Sequence, residues 1–251
     1  MKFDDLDERL RVFESIGDEP IATDGQLVAR LDGRGFTKLT KDRLELSKPF
    51  DPRFRDVMVA TARHLMHSGL EVLYAYTQSD EISLWFAPDE RSFGRKPRKL
   101  LSVLAGEASA CFSLALGVAG AFDCRLALLP DVAHACDYFR WRQQDAIRNA
   151  MIGHVYWRLR GQGLSPRRAT SEMNGLGHAA LGQRLRELGG EFDSLPTWER
   201  CGVGQRWIRV EREGVDPRNG ASVTTERRVV LLDDELPTGE AYADYLRACM
   251  S

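Results

Sequence analysis

Two acidic residues stand where this chain is able to do chemistry. The run Leu27-Val-Ala-Arg-Leu-Asp-Gly-Arg-Gly-Phe36 is apolar until Asp32, then turns through two glycines and a cation. Gln78-Ser79-Asp80-Glu81 occupies the bend between two further apolar runs. Taken singly, an aspartate at a strand end is more often a turn residue than a catalytic one. As a pair they say more, because like charges held together call for a divalent cation between them. Magnesium favours one or two carboxylates, a carbonyl and substrate phosphates. Two such ions ~3.5–4 Å apart activate an attacking hydroxyl and stabilise a leaving oxygen. Gly33 and Gly35, beside Arg34 and ahead of Phe36 and Thr37, leave backbone amides open to a triphosphate, and the Gly33 carbonyl is a candidate metal ligand. The segment is not a Walker A loop, since G-x-x-x-x-G-K-[ST] is absent from the chain.

The elements that must position these groups follow from periodicity. Asp4 to Glu14 reads as a short amphipathic helix. Leu27 to Leu31 reads as a buried strand. Pro52 opens a helix reaching about Ser68, with Phe54, Val57, Met58, Thr61 and Leu65 as its stripe. Glu71 to Tyr76 and Ile82 to Phe86 form a hairpin. Arg98 to Leu116 is a helix rich in small residues, and Phe122 to Leu129 is a fourth strand. This βαββαβ order, with a right-handed crossover, predicts an α+β fold of ferredoxin-like, polymerase-type palm architecture. The third strand then lies antiparallel between the first two, which makes Asp32 and Asp80 neighbours at one edge of the sheet. From Asp137 the chain reads as largely helical: Tyr138 to Arg160, Ser165 to Asn174 and His178 to Leu188. Gly202 to Arg212 and Arg227 to Leu232 read as a short terminal β-hairpin. The expected division is a catalytic core over residues 1–136 and a helical and terminal-strand extension over 137–251, packed together.

Other candidates are weaker. Lys48-Pro49-Phe50-Asp51 offers one cation, and Arg91, Arg95, Lys96, Arg98 and Lys99 offer five. A charge run is usually a solvated surface. Arg98 and Lys99 differ by opening a helix, whose N-terminus favours phosphate, so Lys99 is the expected triphosphate contact. Arg140, Trp141 and Arg142 put cations and an aromatic on a helix. Trp141 suits either base stacking or half-burial. Arg158, Arg160, Arg167 and Arg168 form a second basic area suited to an RNA backbone. His64 and His67 fall on one helix face, but no cysteine or H-E-x-x-H pattern supports a metal there.

Composition sets outer bounds. The 251 residues are 43% hydrophobic and 29% charged, ordinary for a globular chain able to bury a core. The formal net charge of -2 removes a global basic signature, so a polyanion must be met by local patches. The five cysteines are odd in number and contain no C-x-x-C, which points to a reducing, cytoplasmic compartment. No apolar run approaching the ~20 residues of a membrane span is evident, and the acidic opening is not a signal peptide.

These residues resemble the tRNA-His guanylyltransferase family, in particular its bacterial and archaeal guanylyltransferase-like branch. The likeness is carried by MKFDDLDERLRVFE, RLDGRGFTKLT, KPFD, YTQSDEISLWF, RKLLSVLAGEASACFS, FDCRLALLP, DYFRWRQQDAIRNA and LPTWERCGVG. It implies a palm that adds nucleotides in the 3′-to-5′ direction, templated, with GTP preferred, acting on the 5′ end of tRNA. ATP first adenylylates the 5′-monophosphate. The 3′-hydroxyl of GTP then attacks and expels AMP. By this likeness Asp32 and Asp80 hold two magnesium ions, Gly33 lends its carbonyl, and Glu81 supports the metal shell. Asp32 through Thr37 (with Arg34, Gly35 and Phe36), Ser79 and Asp80 contact the nucleotide, and Lys48 and Lys99 contact phosphate. Arg140, Trp141, Arg142, Arg148 and Asn149 are the expected RNA contacts, and a homotetramer is expected. One departure stands out. The family's His-Ile-Asn-Asn motif is here Ile147-Arg148-Asn149-Ala150, keeping only the first asparagine. That loss accompanies the like-protein branch, which repairs 5′-truncated tRNAs. Two other readings compete: a nucleotide cyclase on the same kind of palm, and a tRNA-binding protein without catalysis.

Overall fold

The four strand segments between Gln26 and Leu129 enter one sheet, and the apolar helices between them pack on it. A computed structural model describes residues 3–215, 218 and 220–250. In chain order the elements are α1 (Phe3–Arg11), β1 (Gln26–Gly33), α2 (Phe36–Lys38), α3 (Pro52–Met66), β2 (Val72–Gln78), β3 (Glu81–Phe86), α4 (Pro97–Leu116), β4 (Phe122–Leu129) and α5 (Val132–Gly161). Then come α6 (Pro166–Met173), α7 (His178–Glu187), α8 (Thr197–Cys201), β5 (Val203–Val215), β6 (Ser222–Asp233) and α9 (Glu240–Ala248). The sheet order is β4-β1-β3-β2-β5-β6, with every adjacent pair antiparallel. The β4-β1-β3-β2 part is the ferredoxin-like arrangement expected from the βαββαβ order.

Strand alternation divides the core in two. Leu27, Ala29, Leu31, Ile82 and Leu84 face α3 and α4, meeting Met58, Leu65, Leu104 and Phe112. Val28, Tyr74, Tyr76 and Trp85 face α5 and α9, meeting Phe139, Ala146, Tyr242 and Leu246. Helix α5 spans thirty residues, about 45 Å at 1.5 Å per residue. Its first half lies on the sheet. Its second half runs beyond, where Met151, Val155 and Leu159 carry α6 and α7 through Ala169, Leu181 and Leu185. The division expected after residue 136 falls inside this helix.

Three sequence expectations change. The terminal hairpin is longer than expected and is not separate. β5 pairs with β2 from Val203↔Thr77 to Arg206↔Tyr74, then continues with β6 past the end of the sheet as far as Val215↔Ser222. Charged residues alternating along both strands hid their length. Helices α8 and α9 were not anticipated. Finally, α4 is apolar and long enough to cross a membrane by length and composition alone. Here it lies on the sheet, with Leu100, Leu104, Ala108 and Phe112 in the core.

Four rings fix the turn after β1. Phe36 packs on Phe112 at 4.8 Å, Phe122 at 5.0 Å and Phe54 at 6.2 Å between centroids. This cluster joins α2, α3, α4 and β4 behind Asp32. Phe112→Ala therefore removes a ring from the centre of it, and a loss of about 3–5 kcal/mol in urea unfolding is expected. A loss below 1 kcal/mol contradicts that packing.

Candidate active site

The end of the sheet where β1 stops and β3 starts is built by two tight turns that lock together. Asp32 pairs in register with Glu81 of β3 and with Asp123 of β4. The Gly33 amide donates to the Asp80 carbonyl at 3.0 Å, and the Arg34 amide to the Ala121 carbonyl at 2.8 Å. Gly33 has no alternative: a Cβ there meets the Phe36 ring at 2.5 Å and the Asp80 Cβ at 2.9 Å. Gly35 takes a left-handed φ of 72° and starts α2. The Gly35, Phe36 and Thr37 amides have no backbone partner among the described residues.

Opposite, Ser79 holds a φ of 52°, a left-handed conformation that costs a residue with a side chain about 1–2 kcal/mol. Its hydroxyl donates to the Asp80 carboxylate at 3.1 Å. The Asp80 carboxyl is pushed above the usual range, chiefly by burial, with the Asp32 and Glu81 charges adding to it and its own amide and Ser79 opposing it. So the two aspartates do converge. The register relation also brings up Asp123, a carboxylate the sequence reading passed over, though it is exposed and faces Arg125 at 3.4 Å.

Glu81 does not join them as a free acid. Arg142 of α5 grips it with both nitrogens, Nε to Oε1 at 2.7 Å and Nη2 to Oε2 at 2.8 Å. Arg30 stands 3.8 Å away on the other side. Burial works against the Arg142 charge, but Glu81 outweighs it and the guanidinium stays ionised. Arg142 also donates to Asp145 at 2.9 Å and lies over the Trp141 ring at 4.5 Å. Glu81 thus bridges the site to α5. One sequence expectation is corrected here: Arg142 is 7% exposed, too enclosed to meet RNA. Among the described residues, no group of three or more His, Cys, Asp or Glu is arranged to hold a metal. The residues that would hold an ion are the two aspartates, with the Gly33 carbonyl as the third expected oxygen. This set fits a hard cation whose remaining ligands come from substrate phosphates, as magnesium does. His64 and His67 do not converge either: one pairs with Glu107, the other with the Arg63 carbonyl.

The space between the sheet end and α5 is about 460 Å³. Asp32, Gln78, Ser79, Asp80 and Glu81 form its floor, and Pro49 and Phe50 one rim. Arg142, Asp145, Asn149, Gly153 and Trp157 form the α5 wall, recurring every three or four residues as one helical stripe. A second, narrower pocket of about 120 Å³ shares Gln78 and Ser79. Leu46, Phe54, Met58 and Val203 give it apolar walls, and Lys48 and Asp51 polar ones. Lys48 donates to the Thr40 carbonyl at 2.9 Å, and burial followed by the Lys41 charge pushes its pKa down.

The comparisons with known proteins agree with this geometry. A family model for tRNA-His guanylyltransferase matches residues 7–130. A probable tRNA-His guanylyltransferase of Drosophila melanogaster is 31% identical over 206 residues, covering 78% of this chain and 71% of that protein. The chain belongs to the tRNA-His guanylyltransferase family. Another relative, the Schizosaccharomyces pombe tRNA-His guanylyltransferase, is 26% identical over 238 residues, covering 88% of this chain and 90% of its own. The fold is shared with a bacterial guanylyltransferase-like protein solved with GTP (TM-score 0.70, 22% identity) and with ATP (0.72, 23%). Each match covers 98% of this chain and 99% of the other.

Within this family frame the remaining expected residues separate. Phe36 offers only its backbone, because its ring is core. Arg34 and Thr37 are exposed beside the turn. Lys99 is exposed on the first turn of α4, and that turn is tied to the opposite end of the sheet: the Arg98 amide meets the Gly17 carbonyl, and Lys96 and Arg98 pair with Asp18. About 25 Å of helix separates Lys99 from the end of α4 near the aspartates, so within one chain it does not reach them. Arg140 is drawn off to Asp137 and Glu240. Trp141 and Arg148 are exposed outside the cleft, while Asn149 lines it, bonded to Asp145 at 3.3 Å. Ala150, at the motif's last position, is fully buried.

Two outcomes are expected. Ser79→Gly relieves the left-handed strain, raising stability by about 1 kcal/mol while slowing turnover through the lost hydroxyl; thermal melts and activity must move in opposite directions. Arg142→Ala leaves Glu81 buried without its partner and costs about 3–5 kcal/mol by urea unfolding, which a neutral result contradicts.

Proposed function

We propose that this protein is a magnesium-dependent nucleotidyltransferase that adds nucleotides, GTP by preference and templated, in the 3′-to-5′ direction to the 5′ end of tRNA. The observation that carries this reading is the convergence of Asp32 and Asp80 through the Gly33–Asp80 backbone bond, in a chain of this family. Asp32, Asp80 and the Gly33 carbonyl would hold the two ions. Bound magnesium would make the attacking hydroxyl more acidic and shield the leaving oxygen. The turn amides after Gly33 and the Ser79 hydroxyl would orient the triphosphate, and the pocket walled by Leu46, Phe54 and Met58 suits the flat face of a base. Lys48 lines that pocket and would contact phosphate there. In the first step a 5′-phosphate oxygen of the RNA bonds to the α-phosphorus of ATP and pyrophosphate leaves. In the second, the 3′-oxygen of GTP bonds to that 5′-phosphorus and AMP leaves. The loss of three of the four His-Ile-Asn-Asn residues favours repair of truncated tRNAs over strict tRNA-His maturation. A homotetramer in the cytoplasm completes the proposal; the uncovered apolar residues Phe3, Leu10 and Phe13 support self-association, and five unpaired cysteines support the compartment.

The test uses Mg²⁺, ATP, GTP and a 5′-phosphorylated, 5′-truncated tRNA. Extension with AMP release is expected. A cyclic nucleotide formed without RNA, or RNA binding without turnover, overturns the reading. Asp80→Asn should abolish extension while leaving metal-free stability unchanged or higher. The sign follows from the raised Asp80 pKa: a carboxyl whose folded pKa lies above its unfolded one loses folding stability as it ionises, so above that range a neutral amide removes a cost. Normal extension by Asp80→Asn refutes the metal assignment.

A further inference from the structure

Beyond the cleft, α5 continues past a second cavity, of which the catalytic reading uses Lys48 alone. This space of about 400 Å³ is lined by Lys48, Pro49, Phe50, His154, Trp157, Arg158, Leu195 and Glu199. It shares Pro49, Phe50 and Trp157 with the metal-side cleft, so the two are continuous. Its polar groups are poorly satisfied. The Arg158 Nε is buried without a hydrogen-bond partner, while the Nε2 of His154, whose side chain is 8% exposed, has only a carboxylate beside it. No ion pair is formed by Lys48 or Arg158 among the described residues, and Lys48 spends one donor on the Thr40 carbonyl out of three available. The one carboxylate on the wall, Glu199, lies 3.0 Å from His154. Burial raises its pKa and, with the Arg158 charge, lowers that of His154 to about 4, so the wall is less negative and the imidazole stays neutral. Aromatic faces complete the lining: Lys48 stands 5.6 Å from the Trp157 centroid, and Phe50 packs 5.7 Å from His154.

We propose that this pocket is an anion subsite in which Arg158, beside Trp157, grips a backbone phosphate of the RNA strand whose 5′ end reacts in the adjoining cleft. The inference rests on the nucleotidyltransferase reading above. Unpaired cations beside aromatic faces are what a single strand requires, charge for its phosphates and rings for its bases. Length decides between RNA and the tail of a nucleoside triphosphate. From Asp145, in the metal-side cleft, to Arg158 is thirteen residues of α5, roughly 20 Å. That exceeds the reach of one nucleotide's phosphates, while a strand covers it with its next residues.

The test measures binding of a 5′-phosphorylated acceptor-stem RNA across a NaCl series, together with KM for RNA and for GTP. Arg158→Gln should weaken RNA binding about tenfold and reduce the log–log salt slope by about one, with KM for GTP unchanged. Arg158→Lys should restore most of the affinity. Because the Arg158 guanidinium packs beneath Gly190, a second measurement avoids mutation: bound RNA should protect Arg158 of the wild-type protein from phenylglyoxal, read by mass spectrometry. An unprotected Arg158 overturns the proposal, as does an unchanged affinity and slope in a folded variant. A rise in KM for GTP alone assigns the pocket to the triphosphate and refutes the RNA assignment. Binding is read without turnover, so a protein that holds RNA through Arg158 but never extends it contradicts the proposed function while supporting this pocket.

Discussion

One backbone hydrogen bond holds the site in being. The Gly33 amide donating to the Asp80 carbonyl pins two turns against each other, and their aspartates cannot retreat. Left free, two carboxylates would separate by a rotamer change or a shift of the turn. Here the turns are fixed from behind by the Phe36 ring, which fills the place of any Gly33 side chain. The Asp80 carboxyl, raised chiefly by burial with the Asp32 charge adding to it, is thereby left for a cation to stabilise. Strain at Ser79 has the same origin: the hairpin bends more sharply than a residue with a Cβ prefers, and so presents both Asp80 and the serine hydroxyl.

The palm was legible in the sequence because its signals are local and cumulative. Apolar runs ending at Asp32, Gln78 and Leu129, with Pro52 and Gly117 punctuating between them, give the element order, and the crossover rule turns that order into the Asp32–Asp80 neighbourhood. Lys99 failed on a point of direction. β3 leaves the site, so the helix after it begins at the far end of the sheet, and the phosphate its N-terminus favours would lie there, away from the aspartates. Arg142 failed for another reason. Its partner Glu81 is sixty-one residues away, and an i, i+3 stripe through Asp145 does not reveal which acid a buried cation will meet.

Helix α5 joins parts that the sheet alone cannot. It lies on the sheet through Phe139 and Ala146, clamps Glu81 through Arg142, lines the cleft through Asn149 and ends under α6 and α7. An ion pair taken from water brings little net stability over an apolar contact, but it is costly to break once made. The Arg142–Glu81 pair is thus better understood as fixing the helix's register against the strand than as strengthening the fold.

The overhang of β5 and β6 has a consequence of its own. Past Arg206 the ribbon loses its third strand, and from Glu211 to Val215 and Ser222 to Arg228 its residues are exposed. Among the described residues no buried core cluster includes them, and they are held by the ladder, by pairs such as Arg209–Glu226 and by Arg228 over Trp207. Such a ribbon unzips from its tip at little cost, and its amide protons exchange with solvent long before those of the central strands. The molecule is thus rigid where it holds charge together and yielding where it reaches outward.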